Sequence, residues 1–497
     1  MMKIKYKKQF YLSFLFTLLC YGTYLFPHYS QDVYTKAYAA DPGVTLKTVL
    51  ESGRFTYVFL NKVLTGITGT NIPIHIFFRI FTISMFALII YQAYCIVISK
   101  KNLSVLQENI YFVSVCLIFL NPLFSDWFQF PECITLYIVG VFGAVYASVI
   151  MFTSKVRHSV AAGTFLLTMS VGIYQPVMIY FVLFSLIQIW DWCLNHEREK
   201  NLYLGLAAKI GAALFSYAVA GIVQVLIVKF GSQFGDTRVS GNIMDNLSVV
   251  VSTQRSLWLM ENTGDRTWVY LLVFLCICLL TIYIFIVNVW KRKAVGVLAA
   301  IFTVFVSVFY LSNFVTHIFI EPWISQRTVT GFLAIVPFMV IMILGLSNDY
   351  KVDVFSIKGV YCLLTVLLCL FLYKTNRLSL DLVKTNEMDK QLSRMVVNYV
   401  EEYEKNSGIE VSQIAYCNDT SVTWAYDDIY CGYDLNVRGW TINWCVPSMI
   451  RFYTGKNFQL TEMSELVYNE KFRGKNWDYF SFEQLYIKEN VLYVCVF

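Results

Sequence analysis

The sequence predicts a polytopic α-helical membrane protein carrying a small soluble α/β domain after its last span. Three observations predict it. Of 497 residues, 57% are hydrophobic and only 14% charged. Uncharged apolar runs repeatedly reach the roughly 18 to 20 residues that cross a bilayer. Past residue 376 charges become frequent and no run is long enough to span. The net charge of +6 is better explained by a bias between loops than by a nucleic-acid partner, and none is expected.

Eleven spans are expected, near residues 9–26, 80–99, 109–124, 133–153, 159–173, 175–190, 210–228, 268–290, 294–316, 328–346 and 359–373. The stretch 159–190 carries no charge, and as one helix it would measure about 48 Å, well beyond a hydrocarbon core of about 30 Å. Two short helices breaking at "GIYQP" fit better, because Pro176 cannot continue the hydrogen-bond ladder. The last span is short, but Lys358 and Lys374 at its ends can snorkel.

Lys and Arg set the orientation. With the N-terminus inside, the inner tail and loops hold 16 of them, including Lys3, Lys5, Lys7, Lys8 and "KRK" at 291–293, against 10 in the much longer outer loops. That is the positive-inside asymmetry. The external side then receives the segment 27–79, the loop 229–267 and everything after 373. The basic N-terminus followed by "AYAAD" resembles a signal peptide, but the Ala-x-Ala site lies too far behind an overlong apolar run, so the first helix is expected to be retained. The expected placement is multi-pass in a membrane, with a cytoplasmic N-terminus and an extracytoplasmic C-terminal domain.

Two domains are expected: 1–375 in the membrane, with external loops 27–79 and 229–267, and 376–497 outside. In the first loop, "VTLKTVLESGRFTYVFLNKVL" has helical spacing, with Leu46, Val49 and Leu50 on one face; it predicts a helix along the membrane surface, broken at Gly53. The loop 229–267 is polar and would act as a flap or as a plain connector. In the tail, "NEMDKQLSRMVVNYVEEYEK" reads as helix, while "IEVSQIAYC" and "VLYVCVF" read as strands. Nine of thirteen cysteines lie in or beside spans, where they pack as small apolar residues. Cys417, Cys431, Cys445 and Cys495 lie in the tail, where a disulfide is permitted but its pairing is not readable.

No span carries an Asp or Glu near its middle, which weakens a coupled-transporter reading. Charged and polar side chains gather instead at the external ends: His28, Tyr29, Gln31, Asp32 and Arg54; Arg79; Asp126 and Glu132; Tyr174 and Gln175; Arg238; and His317, Glu321 and Arg327. A carboxylate beside arginines at a lipid boundary suits sugar transfer from a polyprenyl monophosphate. That reaction needs a base for the acceptor hydroxyl and cations for the leaving phosphate. Arginines with their fork of donors can take a metal's place there. The first loop has no Asp-x-Asp pair; no cofactor is expected, with a divalent metal left open. Each residue also has a plainer role: Asp32 as a solvated cap, Glu132 capping span four, Arg327 and Arg79 anchoring spans at the interface.

The segments "PHYSQDVY...ESGRF", "NPLF...FQFPE", "VGIYQP" and "EPWISQRTVTGFLAIVPF", in this order, resemble the bacterial GtrII-type glucosyltransferases that modify O-antigens and related surface glycans. The resemblance covers the membrane part and implies a GT-C-like fold, a polyprenyl-phosphate-sugar donor, and a catalytic acid in the first external loop. It makes Asp32 the catalytic base, Arg327 a phosphate ligand, and Arg54, Glu132, Tyr174 and Gln175 parts of the site. Where relatives pair acids in that loop, this chain has "QD", so Glu132 becomes the candidate second acid. Arg79 is a further phosphate candidate, and Tyr29, Arg238 and His317 further substrate candidates. The function expected is transfer of glucose, or a similar hexose, to a lipid-linked or surface glycan at the external face, among membrane lipids. The rivals are a glycan polymerase or ligase, and a flippase or transporter of lipid-linked sugars.

Overall fold

The computed structural model describes residues 6–37, 47, 49–68, 76–99, 101, 103–153, 158–196, 201–231, 242–261, 268–290, 295–319, 324–346, 354–417, 435, 436, 438–475, 477 and 480–496. Arg238, Glu321 and Cys431 lie outside the described residues. The helices run in the order α1 (Lys7–Tyr21), α2 (Gln31–Ala37), α3 (Phe55–Thr68), α4 (Ile76–Val97), α5 (Val105–Phe119), α6 (Ser125–Phe128), α7 (Ile134–Thr153), α8 (Ser159–Val171), α9 (Met178–Asn195), α10 (Leu202–Gly231), α11 (Ile243–Trp258), α12 (Trp268–Val289), α13 (Val295–Ser312), α14 (Val315–Phe319), α15 (Ile335–Leu346) and α16 (Val354–Ser407). Beyond them lie β1 (Gln413–Cys417), α17 (Val446–Thr454), β2 (Gln459–Thr461), β3 (Leu485–Lys488) and β4 (Val491–Cys495).

Each expected span falls on a helix, and among the described residues seven stretches are long and apolar enough to cross a membrane: Ile76–Val97, Val105–Phe128, Ile134–Phe152, Gln175–Asn195, Leu202–Phe230, Trp268–Val289 and Ser356–Ser407. The spans expected at α1, α8, α13 and α15 are shorter helices. Such a set of apolar helices marks a membrane protein.

The break in 159–190 is where the proline requires it. α8 stops at Val171, and the chain turns through Gly172 and Ile173 and is extended at Tyr174 before Pro176 opens the next turn. The carbonyl of Gly172, released from the helix ladder, accepts the amides of Thr56 and Tyr57 at 2.9 and 3.1 Å. Phe55 packs so closely that a Cβ on Gly172 would stand 2.5 Å from its ring. The start of α3 is thereby docked on the α8–α9 break. The break expected at Gly53 is present as well: its φ is +80°, and an added Cβ would lie 2.1 Å from Gln224 Nε2, so only glycine fits. In the loop 229–267, α11 packs against α14, and Asn246 Nδ2 donates to the Ile318 carbonyl at 3.0 Å.

α16 does not stop at the expected end of the last span. It continues unbroken for 54 residues, about 81 Å at 1.5 Å per residue, so the boundary expected near 375 falls inside it. Its apolar first third packs with the other spans; its second half brings Val396, Val397 and Val400 to a separate core with Ile414, Leu485, Ile487, Leu492 and Val494. The latter residues lie on a four-stranded sheet of order β2-β1-β4-β3, in which β1 is parallel to β2 and β4, and β3 is antiparallel to β4. The two tail segments read as strands thus contain β1 and β4. Cys445 is a free thiol.

Candidate functional site around Glu132

The segment between α5 and α7 does not leave the fold. It turns inward at Asn121, whose side chain accepts the Leu123 amide, and Pro122 opens a short turn leading into α6. Residues 121–129 are buried. Their backbone needs are met by the first loop and its neighbours: Tyr21 Oη donates to the Phe119 and Asn121 carbonyls, and Tyr24 Oη to that of Ser125 at 3.2 Å. His28 Nε2 lies 2.8 Å from the Phe128 carbonyl and its Nδ1 2.9 Å from that of Phe26. Burial and the Arg79 guanidinium push the His28 pKa down to about 4, so the ring is neutral at physiological pH. Arg79 Nη2 donates to the His28 carbonyl at 3.2 Å, and Nη1 to that of Phe26. The structure therefore engages Arg79 in shaping the first loop.

On this frame α2 starts at Gln31, with Ser30 acting as its cap: the Ser30 carbonyl and hydroxyl both accept the Val33 amide. The same hydroxyl donates to Glu132 Oε1 at 3.1 Å. Asp32 and Lys36, one turn apart on α2, pair at 3.1 Å, and Lys36 Nζ reaches Glu132 Oε1 at 3.4 Å. One ammonium thus bridges two carboxylates of different exposure: the Asp32 side chain is 48% exposed and that of Glu132 2%. Burial raises the Glu132 pKa; Lys36 opposes the rise and Asp32 adds to it. Glu132 Oε2 has no hydrogen-bond partner among the described residues.

From Glu132 the site runs along the chain to two arginines. Tyr57 Oη lies 3.3 Å from Cys133 Sγ, and its ring is 6.3 Å from that of Tyr137. Tyr137 stacks on Tyr174 at 4.3 Å. Arg54 lies over the Tyr174 ring at 4.9 Å and donates to Tyr137 Oη at 3.3 Å. Gln175 fixes the approach to Arg54, since its Nε2 donates to the Ser52 carbonyl at 2.7 Å. Arg327 is held by the fully buried Asp126, which accepts its amide at 2.9 Å and Nη1 at 3.3 Å. Trp127 Nε1 donates to the Arg327 carbonyl at 2.6 Å, and the guanidinium stands over Phe130 at 4.8 Å.

The structure brings Glu132, Arg54, Tyr174, Gln175 and Arg327 onto one connected set of contacts, with Asp32 joined to it through Lys36. Asp32 contacts that ammonium and no guanidinium among the described residues. Tyr29 lies elsewhere: its ring packs on Phe452 at 4.8 Å. His317 is buried on α14, where burial pushes its pKa down to about 4, and it shares no hydrogen bond or ion pair with the residues around Glu132 or Arg327. Lys36, Asp126 and Tyr137 were not among the expected site residues. Lys36 was legible as the i+4 partner of Asp32 on a short helix, while Asp126 and Tyr137 emerge only from the inward fold of residues 121–137. No three His, Cys, Asp or Glu side chains gather to hold a metal among the described residues.

A profile of the GtrII glucosyl transferases matches residues 25–344, which takes in Asp32, Lys36, Arg54, Asp126, Glu132, Tyr137, Tyr174, Gln175 and Arg327. The chain belongs to the GtrII glucosyl transferase family. The match ends before α16, so the long helix and the sheet lie beyond the matched residues. Among curated proteins and solved structures nothing matches the chain. Membership makes it a glucosyltransferase of the membrane, with a sugar donor and a glycan acceptor as its substrates.

Proposed function

We propose that this family member is a GT-C-type enzyme of the bacterial cytoplasmic membrane, taking glucose or a similar hexose from a polyprenyl phosphate on the external face. The acceptor is a hydroxyl of a lipid-linked or surface glycan. One observation carries the reading: a half-exposed carboxylate, a bridging lysine and a buried carboxylate belong to one connected set of contacts with two arginines held over aromatic rings.

Asp32, the more exposed acid, accepts the proton of the attacking hydroxyl. The hydroxyl oxygen bonds to the anomeric carbon as the bond to the phosphate oxygen breaks, so the configuration inverts. Arg54 and Arg327 neutralise the departing phosphate. The aromatic partners beneath them hold the guanidinium planes in place, which lowers the ordering cost of binding. Lys36 holds the Asp32 carboxylate toward Glu132 and keeps two acids compatible in one small space.

The test is an assay of purified protein with a panel of polyprenyl-phosphate sugars and a glycan acceptor, wild type beside Asp32→Asn. This nearly isosteric change should lower transfer by about 10² to 10⁴. Full activity in Asp32→Asn rules out its role as base. Chain elongation in place of single-sugar addition would favour a polymerase, and movement of the lipid-linked sugar without a new glycosidic bond a flippase.

A further inference from the structure

The helix carrying Asp32 is held largely by residues outside the family-matched region. Asn386, buried on α16, accepts the Tyr29 amide with its Oδ1 at 2.6 Å and donates to the Tyr29 carbonyl through its Nδ2 at 3.1 Å. A side-chain amide thereby satisfies both main-chain groups of one residue, as a neighbouring strand would. Tyr29 directly precedes Ser30, the cap of α2 and a donor to Glu132, so this clamp fixes the frame from which Asp32 and Lys36 project. Three further contacts reinforce it. Tyr34, on α2, belongs to the core of the sheet domain: its ring packs on Phe452 at 5.3 Å, and its hydroxyl pairs with that of Tyr453 at 2.6 Å. On the other carboxylate's segment, Gln129 Oε1 accepts the Asn436 amide at 2.8 Å.

We propose that the part of the chain beyond residue 344 completes the active site from outside it, with Asn386 as a positioning residue that sets where the Asp32 carboxylate stands. This rests on the function proposed above. Asn386 touches no substrate; it acts through Tyr29 and the start of α2. A shift of about 1 Å in a catalytic group is enough to cost roughly 10²-fold in rate.

The experiment uses the full-length protein carrying Asn386→Ala and, as the milder change, Asn386→Asp, which keeps the shape and an acceptor but has no donor for the Tyr29 carbonyl. Turnover should fall by about 10²-fold in the first and less in the second, with the donor KM within about threefold of wild type. In an Asp32→Asn background, Asn386→Ala should cost less than about threefold, because both changes remove the same contribution. Wild-type turnover in Asn386→Ala, or an equal loss in both backgrounds, overturns the proposal. Hydrogen exchange gives a readout independent of chemistry: amides of residues 29–37 should exchange about tenfold faster in Asn386→Ala, and unchanged exchange also overturns it. Faster exchange together with a fully active Asp32→Asn would leave the clamp standing and remove the chemistry assigned to Asp32.

Discussion

Two buried acids in this protein meet cations in opposite ways. In the sheet domain, Asp389 is saturated: Oδ1 accepts Arg438 Nε and Nη2, both at 3.0 Å, Oδ2 accepts the Gly439 amide at 2.7 Å, and both side chains are almost wholly buried. At the candidate site, Glu132 is as buried, yet one of its oxygens has no partner among the described residues and the other shares a lysine with the half-exposed Asp32. A saturated pair fixes a structure and has no capacity left for a ligand. An under-coordinated one keeps lone pairs and charge that a substrate can use, at some cost to stability.

The sharpest way to break this comparison is to remove one partner of the saturated pair. Asp389→Ala takes the carboxylate away from the buried Arg438 guanidinium and should cost about 3–5 kcal/mol, read as a large drop in the midpoint of thermal unfolding in detergent. If Asp389→Ala melts like wild type, the pair is not structural. Glu132→Gln should cost much less in the same measurement, since burial already raises the Glu132 pKa and neutralising it relieves that strain.

Lys36→Met tests the shared lysine through pH. Lys36 opposes the rise in the Glu132 pKa that burial imposes. Without the ammonium that pKa climbs further, so Glu132 takes up its proton at a higher pH. The Glu132 carboxyl should therefore titrate at a higher pH than in the wild type, read from its carboxylate band in difference infrared spectra of full-length protein with Glu132→Gln as the assignment control. A titration that stays put or moves down removes Lys36 from the site's electrostatics. The smallest effect is expected for Tyr137→Phe, which deletes only the hydroxyl that accepts from Arg54. The donor KM should rise by less than about tenfold, with the unfolding midpoint nearly unchanged.

Periodicity and composition made the helices legible, and chain chemistry marked the breaks: Pro176 and Gly53 each impose a local conformation that no packing overrides. The site was legible where the signal was local or carried by the family resemblance. Asp32, Glu132, Arg54 and Arg327 stood at span ends, and they do converge on connected contacts. What was missed depends on long-range packing. Nothing in "NPLFSDWFQFPE" says that it turns inward, so the pairing of Asp126 with a residue 201 positions later was invisible. Tyr29, expected as a substrate contact, has partners in Asn386 and Phe452 that lie more than 350 residues away. The end of the last span was misleading for a different reason. Hydropathy reports where the lipid stops, whereas α16 keeps its hydrogen-bond ladder far past that point.

That uninterrupted ladder makes α16 a rigid screw. An α-helix advances about 1.5 Å and turns about 100° with each residue, so any insertion or deletion between the membrane and Asn386 changes both the height and the compass direction of everything beyond. The bilayer surface and the clamp on Tyr29 are consequently kept in phase by residue count alone. Length in this stretch is under tighter constraint than the identity of most of its side chains.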